Sequence, residues 1–223
     1  MKLSIFVPVY NEEGCVGKLL TKLVNLKLDC QKEIIVVDDG STDNSWEMIK
    51  KHKGVKALKH SANKGRGAAI KTALKKCSGD VVVFQDADLE YNPKDLPRLI
   101  EPIIQKQTKV VYGSRFIYNS DMPKLFVFGN KFLTGFFNIL YGSRITDLMT
   151  GYKAIDSKLL KELKVEAGGF EFEPELTFKL IRSGLKIKEM PITYSPRRIG
   201  MKKLKVMGGI KLALFLVWYR VFG

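Results

Sequence analysis

Val81-Val82-Val83-Phe84 is an unbroken apolar run, preceded by Asp80 and followed by Asp86, Asp88 and Glu90. A run without polar alternation has no face to give to water. It therefore suits a strand covered on both sides, the setting of a parallel sheet between helices. The same unit recurs along the first half of the chain. Leu3 to Val9 reads as a first strand, followed by a helix with Leu19, Leu20, Leu23 and Val24 as its buried stripe. Asn11 is expected to cap that helix, with Glu12 and Glu13 in its first turn. Glu33 to Val37 is a second strand and Val55 to Leu58 a short third. A helix opens near residues 63–70, another runs from about Pro93 to Gln105, and Lys109 to Gly113 is a fifth strand. Repeated strand–helix rounds of this length are the pattern of a doubly wound α/β sheet.

Composition bounds the partners. The 223 residues are 45% hydrophobic, enough for a substantial core, and the net charge of +15 calls for a polyanionic partner. Nucleic acid, a phosphorylated substrate and an anionic membrane all qualify. The positive charge gathers toward the C-terminal half and no aromatic RNA-binding signature is present, so nucleic acid is not expected. Cys15, Cys30 and Cys77 lack metal-type spacing and fit a reducing compartment. Met1-Lys2-Leu3 runs directly into a strand pattern, so no signal peptide is expected, and no stretch reaches the roughly 18–20 apolar residues of a spanning helix.

The chemistry-bearing residues follow the strands. Asp86, Asp88 and Glu90 have period-two spacing, which would aim all three to one side if the chain stays extended. Carboxylates so crowded suit Mg2+ or Mn2+, with a bound diphosphate supplying further oxygens; a solvated acidic turn is the alternative. Asp38-Asp39-Gly40-Ser41-Thr42-Asp43 closes the second strand where such sheets bind nucleotides. Asp39 is a candidate acceptor for a base or ribose, while Ser41 and Thr42 serve equally well as helix caps. Lys64 and Arg66 flank a helix N-terminus and could face a diphosphate or simply water. His52 and His60 stand at element ends without evident partners and read as structural or exposed.

P-V-Y-N-E at 8–12, V-V-D-D-G-S-T-D at 36–43, N-K-G at 63–65, D-A-D-L-E at 86–90 and G-S-R at 113–115 occur in this order. Together they resemble the family 2 glycosyltransferases of GT-A fold, and more closely the dolichyl- or polyprenyl-phosphate sugar transferases. Asp147 to Lys153 is similar to the D-x-x-x-G-[FY]-[KR] segment of that subgroup, and Gly169 to Glu175 to its second acidic motif. Tyr194-Ser195-Pro196-Arg197-Arg198, with Lys202 and Lys203 beyond, is similar to its basic segment near the lipid phosphate. Two departures stand out. Glu90 occupies a position often held by Gln, and Lys131 is the nearest cation where mannosyl enzymes carry Arg.

The resemblance implies a metal-dependent, inverting hexosyltransferase acting from a nucleotide sugar onto a polyprenyl phosphate. It assigns the donor to Pro8, Tyr10, Glu12, Asp39, Lys64 and Asp86, and Mg2+ or Mn2+ to Asp86, Asp88 and Glu90. Arg115, Lys131, Arg197 and Lys203 become candidates for the acceptor phosphate, and Asp86, Asp88, Asp147 and Arg115 for catalysis. A phosphate acceptor is already an anion and needs no general base; a sugar hydroxyl would need one, for which Asp147 or Glu173 could serve.

Two apolar stretches bear on a membrane. Phe128, Phe132 and Phe136 recur at helical spacing, in a helix that either faces the core or lies on lipid. Val206 to Phe222, just beyond five cations between Arg197 and Lys205, reads as an amphipathic interfacial helix. The expected division is a catalytic domain at 1–195 and a basic segment with interfacial helix at 196–223. The expected place is the cytoplasmic face of a membrane, as a peripheral protein, with a membrane-protein partner or a second copy left open.

Overall fold

The computed structural model describes residues 1–117, 122–196 and 206–222. In its first half, β1 (Lys2–Val9), α1 (Val16–Asn25), β2 (Gln31–Asp38), α2 (Ser45–Lys50), β3 (Lys56–Lys59), α3 (Arg66–Leu74) and β4 (Val81–Phe84) alternate as expected. β1 lies between β2 and β4, parallel to both, and β3 lies parallel on the outer side of β2. The second half holds α4 (Leu96–Ile104), β5 (Val110–Ser114), α5 (Lys124–Tyr141), β6 (Lys153–Asp156), α6 (Ser157–Glu162), α7 (Phe172–Arg182), β7 (Lys188–Pro191) and α8 (Val206–Phe222). The seven strands form one sheet in the order β3-β2-β1-β4-β6-β5-β7. β6 runs antiparallel between β4 and β5, and β7 closes the edge parallel to β5.

Neither β6 nor β7 stands out in the sequence. Each is only four residues long, and K-A-I-D and K-E-M-P carry charges that break an apolar run. The inner strands show period two on both faces. Leu3, Ile5, Val7, Ile34, Val36, Val81 and Val83 point to the side covered by α1, α2 and α4. Phe6, Ile35, Val37, Val82 and Phe84 point to the side covered by α3, α6 and α7. Burial on both faces is what the unbroken apolar runs require.

A third cluster joins α5, α7 and α8. Leu133 and Phe137 pack with Leu148, Phe178, Leu212 and Leu216. The Tyr141 hydroxyl donates to the Leu216 carbonyl at 2.6 Å, and the Tyr219 hydroxyl to Glu175 at 3.2 Å. Leu212, Leu216 and Tyr219 follow i, i+4, i+7, so one stripe of α8 docks on the domain. The opposite stripe, Leu214, Val217, Trp218, Val221 and Phe222, is exposed. Among the described residues, no helix is long and apolar enough to cross a membrane.

Two local expectations are corrected. The chain does not stay extended after β4: residues 86–89 turn, with Leu89 at φ 66°. Asn11 does not cap α1, which begins five residues later behind Cys15. Asn11 itself is left-handed at φ 51°, and its side chain accepts from the Thr42 N–H at 2.8 Å. That bond ties the loop after β1 to the loop after β2.

Candidate active site

The loops following β1, β2, β3 and β4 meet at one end of the sheet, and short polar side chains staple them together. Ser41 Oγ accepts from the Asn11 N–H at 3.0 Å, and Ser45 Oγ from the Glu12 N–H at 2.7 Å. Asp43 takes the Glu13 and Ser45 N–H groups. Ser41 and Thr42 therefore serve loop-to-loop bonds. Pro8 and Tyr10 line this end half-buried, while Glu12 is buried.

Asp39 lies at the centre of this end and is 3% exposed. Its carboxylate accepts from the backbone N–H of Lys64 at 3.0 Å and of Gly65 at 2.8 Å. Lys64 thus touches Asp39 through its backbone, with its side chain in solvent. Gly40, at φ 72°, brings β2's exit against Ala62, 2.4 Å from where a Cβ would stand, so only glycine fits there. His60 also reaches Asp39, with Nδ1 2.6 Å from Oδ1, while its Nε2 lies 2.9 Å from Thr72 Oγ1. His52 meets the Met48 carbonyl at 2.9 Å. Both histidines therefore have partners, contrary to the reading from sequence, because those partners come from other elements or the preceding turn.

The acidic turn sits on a buried network of ion pairs. Arg66, at the start of α3, donates Nε to Asp86 Oδ1 at 3.0 Å and Nη2 to the Gly151 carbonyl at 3.1 Å. Its Nη1 binds Glu173, whose other oxygen takes the Nζ of fully buried Lys153. Lys153 lies over the Tyr112 ring at 4.5 Å; burial lowers its pKa and Glu173 opposes that shift. Arg66 is thus committed to carboxylates, and it does not face open solvent as a free diphosphate ligand. Glu173, with both oxygens held, has no room to act as a base.

Asp88 Oδ1 accepts from the Glu90 N–H at 3.1 Å. Burial first, then the charges of Asp86 and Glu90, push its carboxyl up to about 7. Among the described residues no three acids, histidines or cysteines converge as a metal cage, and Asp86 turns toward Arg66. The remaining donor set still fits Mg2+ or Mn2+, which are commonly held by one or two carboxylates with phosphate oxygens and water completing the shell. Crowded carboxylates that favour a proton at Asp88 would be relieved equally by a cation.

On the other side of the turn, Arg115 grips Asp147. Nε and Nη2 donate to Oδ2 and Oδ1, each at 2.7 Å, and the Arg115 backbone N–H adds a bond at 3.1 Å. Asp147 is fully buried with both carboxylate oxygens on Arg115, an arrangement that suits positioning Arg115 better than the catalytic base of a hydroxyl-acceptor enzyme. Glu189 fixes the segment by accepting from the backbone N–H of Thr146 and Asp147. Arg115 also donates to Asn130 of α5 and lies over the Tyr194 and Phe116 rings at 5.9 and 5.6 Å. Lys131 stands over the same Phe116 ring at 5.9 Å, so these two acceptor candidates do come together. Arg197 and Lys203 lie outside the described residues.

Tyr194 joins the two halves. It pairs with Tyr91 in an isolated β-bridge, hydrogen-bonds the Glu90 carboxylate and stacks beside Arg115. Tyr91 stacks on Tyr152 at 5.2 Å, and its hydroxyl accepts from the Gly151 N–H. Sequence reasoning quoted Tyr152, Lys153 and Tyr194 inside motifs without giving them roles, and it missed Asn130 and Tyr91. No spacing rule pairs residues so far apart in the chain.

Comparison with known proteins agrees with this geometry. Residues 4–164 match the family model described as glycosyl transferase family 2. The UDP-N-acetylglucosamine–dolichyl-phosphate N-acetylglucosaminyltransferase of Methanococcus voltae is 32% identical, over 94% of this chain and 92% of its own length. The undecaprenyl-phosphate mannosyltransferase of Micrococcus luteus is 28% identical, over 94% of this chain and 89% of its own. Among solved structures, glucosyl-3-phosphoglycerate synthase of Mycobacterium tuberculosis, in complex with Mn2+, UDP and phosphoglyceric acid, superposes with a TM-score of 0.77. At 21% identity over 99% of this chain and 78% of that one, it shows the shared fold. The chain is a glycosyltransferase of GT-A fold and belongs to glycosyl transferase family 2.

Proposed function

We propose that the chain transfers a hexosyl group from a nucleotide sugar to a polyprenyl phosphate, dolichyl or undecaprenyl, with inversion at the anomeric carbon. The observation that carries this reading is Tyr194 between Glu90 of the acidic turn and Arg115 of the basic side. An acidic turn suited to a cation and a donor diphosphate is thereby held beside cations suited to a second phosphate. The two relatives named above act, by their names, on dolichyl and undecaprenyl phosphates with different sugars. They support the acceptor class and leave the sugar open.

In this mechanism an acceptor phosphate oxygen attacks C1 of the sugar. The bond from C1 to the donor diphosphate breaks, and the nucleoside diphosphate leaves with the electron pair. A phosphate monoester has its second pKa near 6 and is mostly dianionic at neutral pH, so no proton need be removed. The burial of Asp147 and Glu173 in ion pairs accords with that economy. Arg115, fixed by Asp147 and Asn130, and Lys131 hold the acceptor phosphate; Asp39, Tyr10, Pro8, Glu12 and the 64–65 backbone shape the donor cleft. Asp88 and Glu90 would hold Mg2+ or Mn2+, which when bound neutralises charge growing on the leaving diphosphate.

The catalytic machinery falls within 1–195, and the C-terminal helix adds an interfacial face. α8 exposes Trp218 and Phe222, and α5 exposes Leu125, Phe128 (70%), Phe132 (61%) and Ile139. The Phe128, Phe132 and Phe136 rings stack in a row at 6.5 and 6.4 Å. Such an apolar surface beside the phosphate cations suits a peripheral position on the cytoplasmic face of an anionic membrane. A radiolabelled screen of nucleotide sugars against polyprenyl phosphate tests the whole reading. Transfer to a carbohydrate hydroxyl, with none to polyprenyl phosphate, would overturn it in favour of a hydroxyl-acceptor enzyme.

A further inference from the structure

His60 is 9% exposed, bonded at both ring nitrogens, and unused by the mechanism above. A carboxylate only accepts, so Nδ1 facing Asp39 must carry the hydrogen, and in the neutral ring Nε2 accepts from the Thr72 hydroxyl. The His60 backbone N–H bonds the Asp38 carbonyl at 2.8 Å, which places the ring at the very end of the β2–β3 ladder. Asp39 then collects three N–H donors: His60 and Lys64 on Oδ1, Gly65 on Oδ2. Gly65, at φ 93°, lies with its Cβ position 2.5 Å from the Gly168 carbonyl, so the same loop is pressed from the far side. Two donors on Oδ1 and one on Oδ2 leave Oδ2 the less saturated oxygen.

We propose that His60, braced by Thr72, is a positioning residue for the donor nucleotide: it fixes the Asp39 carboxylate so that Oδ2 keeps a lone pair for an N–H or O–H of the nucleoside. This rests on the donor reading given above. A purely structural histidine would affect folding and every substrate alike. A positioning histidine acts on the nucleotide alone.

The test uses the full chain and measures binding of UDP and of GDP, each with Mn2+, by titration calorimetry for wild type, His60→Leu, His60→Asn and Thr72→Val. His60→Leu removes both ring bonds. His60→Asn places an amide N–H close to the former Nδ1. A hydrogen bond to a charged group is lost in the leucine variant, so whichever diphosphate binds wild type should bind it roughly ten- to a hundredfold more weakly. His60→Asn should stay within about threefold of wild type, Thr72→Val should fall between the two, and acceptor KM should not move. Undiminished diphosphate binding by His60→Leu overturns the proposal. If that variant does not fold, failure of the asparagine to restore binding, or an equal rise in acceptor KM, overturns it. Wild type that binds neither diphosphate overturns the donor reading, and this inference with it.

Discussion

Asp147→Asn separates a positioning carboxylate from a catalytic base. The wild-type pair has two charge-assisted bonds of 2.7 Å and a backbone bond of 3.1 Å in a site closed to water. Asparagine keeps one acceptor oxygen but turns an NH2 toward a guanidinium that only donates. Leaving a buried cation unpaired costs about 3–5 kcal/mol, and the Phe116 and Tyr194 rings beside Arg115 offset part of that. A net loss of about 3 kcal/mol, with a urea slope near 3 kcal/mol per molar for a chain of this size, lowers the unfolding midpoint by about 1 M. A domain stable by 5–15 kcal/mol stays folded in buffer. In steady-state kinetics, acceptor KM should rise as Arg115 loosens, with donor KM little changed. The acidic limb of the pH–rate profile should persist, because it belongs to the acceptor's own second ionisation near pH 6. Loss of that limb, with acceptor KM and the urea midpoint unchanged, would refute the reasoning and make Asp147 the base.

Asp88→Asn should abolish transfer while the fold survives. The Asp88 carboxyl is raised from 3.8 to about 7, so wild type in metal-free buffer loses stability as pH rises through about 7, and thermal melts of the variant should lack that decline. Glu33 behaves oppositely: burial alone would raise it, but hydrogen bonds from Ser4 and Ser78 and the charge of Lys2 bring it from 4.5 to about 2. Its contribution, at most about 3 kcal/mol, is present above pH 4.5 and lost as pH falls through about 2; Glu33→Gln should flatten acid unfolding curves there. Phe128→Ser with Phe132→Ser should weaken co-sedimentation with anionic liposomes and spare turnover on a short-chain phosphate; unchanged sedimentation would place the membrane face elsewhere. Ending the chain at residue 205 should release it from liposomes, but also uncover Leu133, Phe137 and Phe178, so a lower melting temperature should accompany the release.

Much of the fold was legible in the sequence because the inner strands are buried on both faces and therefore unbroken: Val81 to Phe84 has the same boundaries in both. β6 was hidden for a physical reason. Lys153 is fully buried there, and its charge is balanced by Glu173, twenty residues away in α7. Motif order likewise brought Asp39, Asp88 and Arg115 to one end of the sheet, but not what they bind. The sequence makes Asp86 a metal-ligand candidate and Asp147 a candidate base, but it does not show that Arg66 holds the one and Arg115 the other. Pairing is a property of the fold, and period-two spacing carries no information about it. The C-terminal helix shows a further limit. Its apolar run suggests either a core helix or a lipid-facing one, whereas in the structure one stripe packs on the domain and the opposite one is exposed.

The proposed function asks an acid-rich cleft to take two anionic substrates, and the buried arginines bear on how it could. Arg66 and Lys153 meet Asp86 and Glu173, and Arg115 meets Asp147, so three cations balance three carboxylates, Asp86 being drawn from the turn. Outside that group stand the Asp88–Glu90 edge on one side of Tyr194 and Lys131, over the Phe116 ring, on the other. The first edge repels a diphosphate unless a divalent cation comes with it. The second attracts a phosphate unaided. On the function proposed above, charge sorts the two substrates: the one that leaves as a diphosphate goes to the side needing a cation, and the one that attacks as a dianion goes to the side of Lys131. Tyr194, bonded to Glu90 and stacked on Arg115, keeps the two sides apart at a fixed spacing while carrying no charge of its own.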